Sequence, residues 1–381
     1  MGQCCAPTTL VLSAAFTQSL NYPLTNDLGQ QNSSRWHLNT LMAGPVIMRK
    51  LFVFILSCSI LASATRLKQV AMVDLPGNPG FNEVALANGQ VVITHPETNT
   101  VEIFSPVKRR VVARISQVDN PRGIAVDDAA ERVYIALAGS NRIAVVNSKN
   151  WQVEQLVPVR NAPEKLLWVP ETKTLFVTST RARTLSIVDT HIGTETAVID
   201  LGALPKDILY DVSRQQLLVS LQDINEIAAL DGSNRIVDRF RLSASEPTGL
   251  ALDPGRRRLY VAVRYAVLVL NADNGSEISR IPAPGGTDTL ILDTSDNLLY
   301  AAAGDGSILA IDLAKGAADH ELPTDVKGYS IAYDPTRKQL FFPGGREGRA
   351  KLVILRPVGM TETPQNAATP RPQGAPQTAQ K

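Results

Sequence analysis

Seven residues recur along this 381-residue chain at intervals of 40 to 42: Asn82, Arg122, Glu164, Lys206, Thr248, Asp288 and Tyr329. If the fold gathers them onto one rim, they offer two chemistries. Asn82, Glu164 and Asp288 carry amide and carboxylate oxygens, the hard donors preferred by calcium and similar divalent cations. Arg122 and Lys206, in the same series, would repel a cation. They suit carboxylate or phosphate instead, which the planar guanidinium meets as a fork. A second series lies between paired strands of each repeat, at Asn141, Arg183, Asn225, Arg264, Tyr265, Asp305, Arg346 and Arg349, and adds further arginine to that rim.

Histidine chemistry is sparse. Beyond residue 64 the chain holds only His95, His191 and His320, and no two share a repeat. A zinc site needs converging imidazoles, and a Ser-His-Asp arrangement needs its base beside the nucleophile; neither pattern is visible. His95, next to Pro96, reads as a solvated loop histidine on the candidate rim, while His191 and His320 read as turn residues at the opposite end. No nucleophile elbow, phosphate loop or dinucleotide fingerprint occurs.

The elements that must position these residues repeat with the same period. Asp127, Asp211, Asp253, Asp293 and Asp334 end one short strand in each unit, with Val169 in the slot after Asp127 and Ala87 one period before it. That makes seven units. In Pro121–Ala162 the expected strands are Gly123–Val126, Arg132–Ala136, Arg142–Asn147 and Val153–Val159, rich in Val, Ile and Tyr and bounded by turn residues. Runs such as Leu259–Val263 and Val267–Leu270 are almost wholly apolar, as expected of sheets covered on both faces. Radial repetition of small antiparallel sheets is the propeller arrangement, so the expected fold is all-β: a seven-bladed β-propeller with four antiparallel strands per blade. The last unit has three strands, and the missing one is expected at Lys68–Leu75, completing the seventh blade beside Lys351–Arg356 and closing the ring.

The units Pro247–Val263 ("PTGLALDPGRRRLYVAV") and Thr184–Gly202 ("TLSIVDTHIGTETAVIDLG") resemble the YVTN-type β-propeller repeat of bacterial and archaeal exported and surface proteins. The resemblance spans roughly residues 68–356 and implies the fold more than any activity. The tripeptide after the repeat's aromatic position departs from the signature, and only Thr178 keeps its threonine.

Composition bounds the rest. Met48 opens a leader-like segment: Arg49-Lys50, the apolar run Leu51–Leu61, then Ala62-Ser63-Ala64 as a cleavage motif. Residues 48–64 are therefore expected to be a signal peptide, and 1–47 an extension arising from a misassigned start or remaining disordered. Ile55-Leu56-Ser57-Cys58 loosely resembles a lipobox, which would lipidate Cys58. All three cysteines (Cys4, Cys5, Cys58) precede Thr65, so no disulfide or thiolate chemistry is expected in the propeller of residues 65–358. From Thr65 onward acids and bases balance at 35 each, which favours neither nucleic acid nor anionic membrane. Lys108–Arg110 and Arg256–Arg258 read as solvated turns. Residues 359–381, rich in Pro, Gln, Ala and Thr, read as a disordered tail.

The expected function is that of an exported, periplasmic or secreted, monomeric binding or scaffold module. Its channel face (Asn82, Arg122, Glu164, Lys206, Asp288, Tyr329, Arg183, Arg264) takes an anionic small molecule or a partner protein, with no cofactor. The alternative is a calcium-dependent hydrolase similar to the lactonase-type propellers, with Asn82, Glu164 and Asp288 on the metal.

Overall fold

The computed structural model describes residues 66–359. The expected leader, the segment before it, Cys58 and the tail from residue 360 lie outside the described residues. Within them, 28 strands form seven sheets of four antiparallel strands, arranged as a ring, and one 3-10 turn at Pro96–Thr98 is the only helical element.

Blades 1 to 6 span 84–116, 121–158, 166–200, 205–241, 250–282 and 287–323, each built from four consecutive strands. Blade 2 has β6 (Pro121–Asp127), β7 (Arg132–Leu137), β8 (Arg142–Asn147) and β9 (Val153–Pro158), close to the spans expected from the turn residues. In every blade the first strand ends on the periodic marker, and in the five blades where that marker is aspartate its carboxylate closes the turn that follows. Asp127 Oδ1 accepts the Ala130 N–H at 3.1 Å, and Asp253 Oδ1 accepts that of Arg256 at 3.0 Å.

Blade 7 is completed from the other end of the described chain. β26 (Ala332–Asp334), β27 (Gln339–Arg346) and β28 (Arg349–Val358) are joined by β1 (Arg66–Asp74), in the sheet order β1-β28-β27-β26. Leu67 pairs with Pro357, Lys68 with Arg356 and Asp74 with Lys351. The closing strand begins two residues before the expected Lys68, and Leu75 still donates to Ala350 O at 3.0 Å.

Among the described residues the buried apolar side chains fall into seven clusters, each shared by two adjacent blades. The cluster between blades 7 and 1 sets Phe341, Leu352 and Ile354 against Val91, Ile93 and Phe104. Closure is therefore a packed interface like the other six. Inner strands are covered on both faces by their neighbours: Leu259 to Val263 are all buried. Fourth strands form the outer edge and are mostly exposed, as in β9.

Two readings of individual segments are corrected. His320 does not lie in a turn: it sits in the strand Ala317–Pro323, paired with Ala310, because the preceding turn already closes at Gly316, whose N–H donates to Asp312 O. Arg256–Arg258 is not merely a solvated turn. Arg257 reaches back to blade 4 and bonds Asp211 at 2.6 Å while holding Asp273 of its own blade at 2.7 Å. Lys108, Arg109 and Arg110 are exposed, as expected.

Candidate channel-mouth site

Since strands alternate in direction, the connections between blades and the turns between second and third strands share one face of the ring. There the first strands approach the axis, and Asn82, Arg122, Glu164, Lys206, Thr248, Asp288 and Tyr329 all line one cavity of about 520 Å³. Neighbouring backbones touch at this level. Gly123 N–H donates to Glu164 O at 2.8 Å, and a Cβ on Gly123 would lie 2.2 Å from that oxygen. At Gly249 the corresponding obstacle is Asp288 O, at 2.3 Å. Glycine is needed at both positions for the blades to come this close.

The next register position, which the periodic series does not include, carries the charges at the centre of the site. Lys165 Nζ lies 2.6 Å from Glu83 Oε1 and 3.7 Å from Asp207 Oδ1. Glu83 Oε2 also accepts the Ile124 N–H at 3.2 Å, and Asp207 Oδ2 accepts the Leu250 N–H at 2.8 Å. Each of these carboxylates thus ties its own blade to the next. Burial alone would lower the lysine pKa, but Glu83 and Asp207 outweigh it and hold the ammonium charged well above the ordinary lysine range. One ammonium cannot compensate the surrounding carboxylates. Burial pushes Glu83 up against the pull of Lys165, and pushes Asp288 up against Lys165 and Lys206.

On the polar side of the mouth, Asn82 Nδ2 donates to the Tyr329 hydroxyl at 3.0 Å, which donates in turn to Phe81 O at 3.2 Å. Burial raises the Tyr329 pKa, keeping it a neutral donor. Asn82, Glu164 and Asp288 share the cavity, yet no group of three His, Cys, Asp or Glu among the described residues is placed to hold a metal ion.

The arginines divide sharply. Arg183 is not among the lining residues and pairs with Asp223 at 2.9 Å. Arg264 lines the cavity but is paired with Glu246, and Arg346 meets Asp325 at 3.3 Å. Arg122 and Lys206, by contrast, have no ion pair among the described residues, and Arg122 Nε is shut off from solvent without an acceptor. His95 is not a solvated loop residue. It ends the strand Gln90–His95 fully buried, because the segment leading from β1 into blade 1 covers it: Asn78 O lies 2.6 Å from Nε2, and the Phe81 ring packs with its centroid at 4.3 Å.

Comparison with known proteins gives the fold a wider setting. No protein-family model matches the sequence. The chain is 22% identical over 284 residues to the antigen Lp49 of Leptospira interrogans, covering 69% of this chain and 61% of that protein. It is 27% identical over 142 residues to the seven-bladed beta-propeller protein Rv1057 of Mycobacterium tuberculosis, covering 36% of each. The chain thus spans about three fifths of the first relative and about a third of the second. Among solved structures, the Kuenenia stuttgartiensis hydrazine synthase superposes with a TM-score of 0.66 at 14% identity, over 75% of this chain and 98% of that one. The structural likeness concerns the fold alone. Among the described residues, no helix is long and apolar enough to cross a membrane.

Proposed function

We propose that this chain is an exported propeller that works by binding, and that its channel mouth takes a ligand presenting carboxylate or phosphate oxygens. Arg122 carries the reading. Arg122 lines the polar cavity without an ion pair among the described residues, so its guanidinium is open to an oxyanion there. An anionic group in the cavity pairs with that guanidinium, and Lys206, near Asp288, adds a second cation without an ion pair among the described residues. Lys165 remains engaged with Glu83 and Asp207 and holds the floor of the site, while Tyr329, Asn82 and Thr248 offer neutral hydrogen-bonding groups. The ligand is a small anion or an acidic segment of a partner protein. The leader-like residues 48–64, the YVTN-type resemblance and similarity to a protein named as an antigen support an exported setting.

Thermal unfolding with citrate as probe, against sodium chloride at matched ionic strength, tests this. A ligand bound only by the native state at about a hundredfold excess over its Kd stabilises by about 2.7 kcal/mol. Citrate is expected to raise the Tm of the wild type and to do so much less for Arg122→Ala. An equal response of both proteins, or no response by the wild type, contradicts the reading.

A further inference from the structure

The face opposite the channel mouth holds a second cavity, of about 650 Å³, between blades 2 and 3. Its walls include Tyr134, Trp168 and Ile187, and its rim carries Asp127 from blade 2 and Lys173 from blade 3. The Tyr134 and Trp168 rings pack 5.5 Å apart, and the indole Nε1–H of Trp168 is buried without an acceptor.

A cation at the same register as Lys173 meets an acid of the previous blade at two other junctions. Lys173 stands four residues after the end of its first strand, as Arg257 does in blade 5 and Lys338 in blade 7. Arg257 reaches back to Asp211 at 2.6 Å, and Lys338 reaches back to Asp296 at 2.6 Å, so each staples its blade to the previous one. Between blades 2 and 3 both charges are present but do not meet. Asp127 accepts only the Ala130 N–H of its own turn, and Lys173 has no ion pair among the described residues. Of the other charged residues lining the cavity, Arg132 lies 3.9 Å from Glu154 and Asp189 accepts the N–H groups of His191 and Ile192. Asp127 and Lys173 both line the cavity.

We propose that this cavity is a second ligand site, independent of the channel mouth, and that it takes a free aromatic amino acid. The aryl ring lies against Trp168, which Tyr134 backs from the interior, the ammonium faces Asp127 and the carboxylate faces Lys173. The ligand thereby completes the staple that the protein closes by itself at the other two junctions. The volume falls within the range of about 300–1,000 Å³ usual for small-molecule sites.

Isothermal titration calorimetry with L-tryptophan, tryptamine and indole-3-propionate separates the three contacts. L-Tryptophan is expected to bind once per chain, and each analogue lacking one charge to bind up to about fivefold more weakly, the scale of a solvent-accessible ion pair. Lys173→Ala should bring L-tryptophan down to the level of tryptamine, and Asp127→Asn down to that of indole-3-propionate. Arg122→Ala, at the far face, should leave all three unchanged. Lack of saturable L-tryptophan binding, equal affinity for the three compounds, or wild-type affinity in Lys173→Ala would overturn the proposal.

Discussion

Lys165 fixes the charge balance of the channel mouth. Its ammonium stands between Glu83 and Asp207, with Asp288 close enough to feel its field. Removing it in Lys165→Met leaves carboxylates facing one another in a partly desolvated site. Breaking a buried pair costs about 3–5 kcal/mol, and with Lys165 still 31% exposed about 3 kcal/mol is expected. The sign of the pH dependence follows from Glu83. Its folded pKa is raised, so its contribution to stability is fully present below the unfolded carboxylate pKa and is lost as pH rises through the folded value. The variant should therefore recover part of its lost stability on moving from pH 7 to pH 5, a change that urea unfolding at the two values measures. The sequence presented Arg122, Lys206, Asp288 and Tyr329 in register, and the cavity contains them. It concealed Lys165, Glu83 and Asp207 because the next position mixes charged residues with Gly, Thr and Ser and shows no periodic chemistry. Arg183 and Arg264 were legible as cations, but their partners Asp223 and Glu246 lie in other loops, so their neutralisation was not.

At the scale of the blade, the periodic aspartate was the strongest signal, since one acid closing one turn recurs at the end of the first strand in five of the seven blades. The staple between blades 4 and 5 was hidden, as nothing local in Arg256–Arg258 announces that the middle arginine crosses to Asp211. Burial pushes the Asp211 pKa up, but Arg257 and Ser213 outweigh it and hold the carboxyl below the usual range. A depressed folded pKa gives stability that is present above the unfolded value, around pH 4, and is lost as pH falls through the folded one. Wild-type protein should accordingly lose Tm on acidification below about pH 4, and Arg257→Ala should lose less of it over the same interval. Tight blade contact makes a second demand. Gly123→Ala would force its Cβ against Glu164 O, and overpacking of this kind costs about 1–3 kcal/mol. Because the shift falls beside Arg122, citrate response should weaken with it, as thermal unfolding with and without the probe would register.

For the molecule as a whole, the ring is held by seven similar interfaces, two of which include residues of the strand from the front of the described chain. Leu67 is 4% exposed and packs in the cluster shared by blades 6 and 7. Leu67→Ala should cost about 2–5 kcal/mol, a core penalty for a residue of the first strand. Denaturant unfolding with a cost near zero would mean that β1 adds little to closure. The ring was readable because each unit repeats its own turn chemistry, and the three-strand last unit left one gap for the strand at Lys68–Leu75. What the ring binds was less readable, since the mouth is assembled from residues about 40 positions apart whose side chains are committed or free according to partners in neighbouring blades. Hydrogen–deuterium exchange with and without citrate tests the central claim most directly. The account predicts added protection at 120–124, 164–166, 206–208 and 288–290, where the first strands meet the mouth, and loss of that protection in Arg122→Ala. Protection confined to the outer strands or to the opposite face, or unchanged exchange at the mouth under saturating citrate, would contradict it.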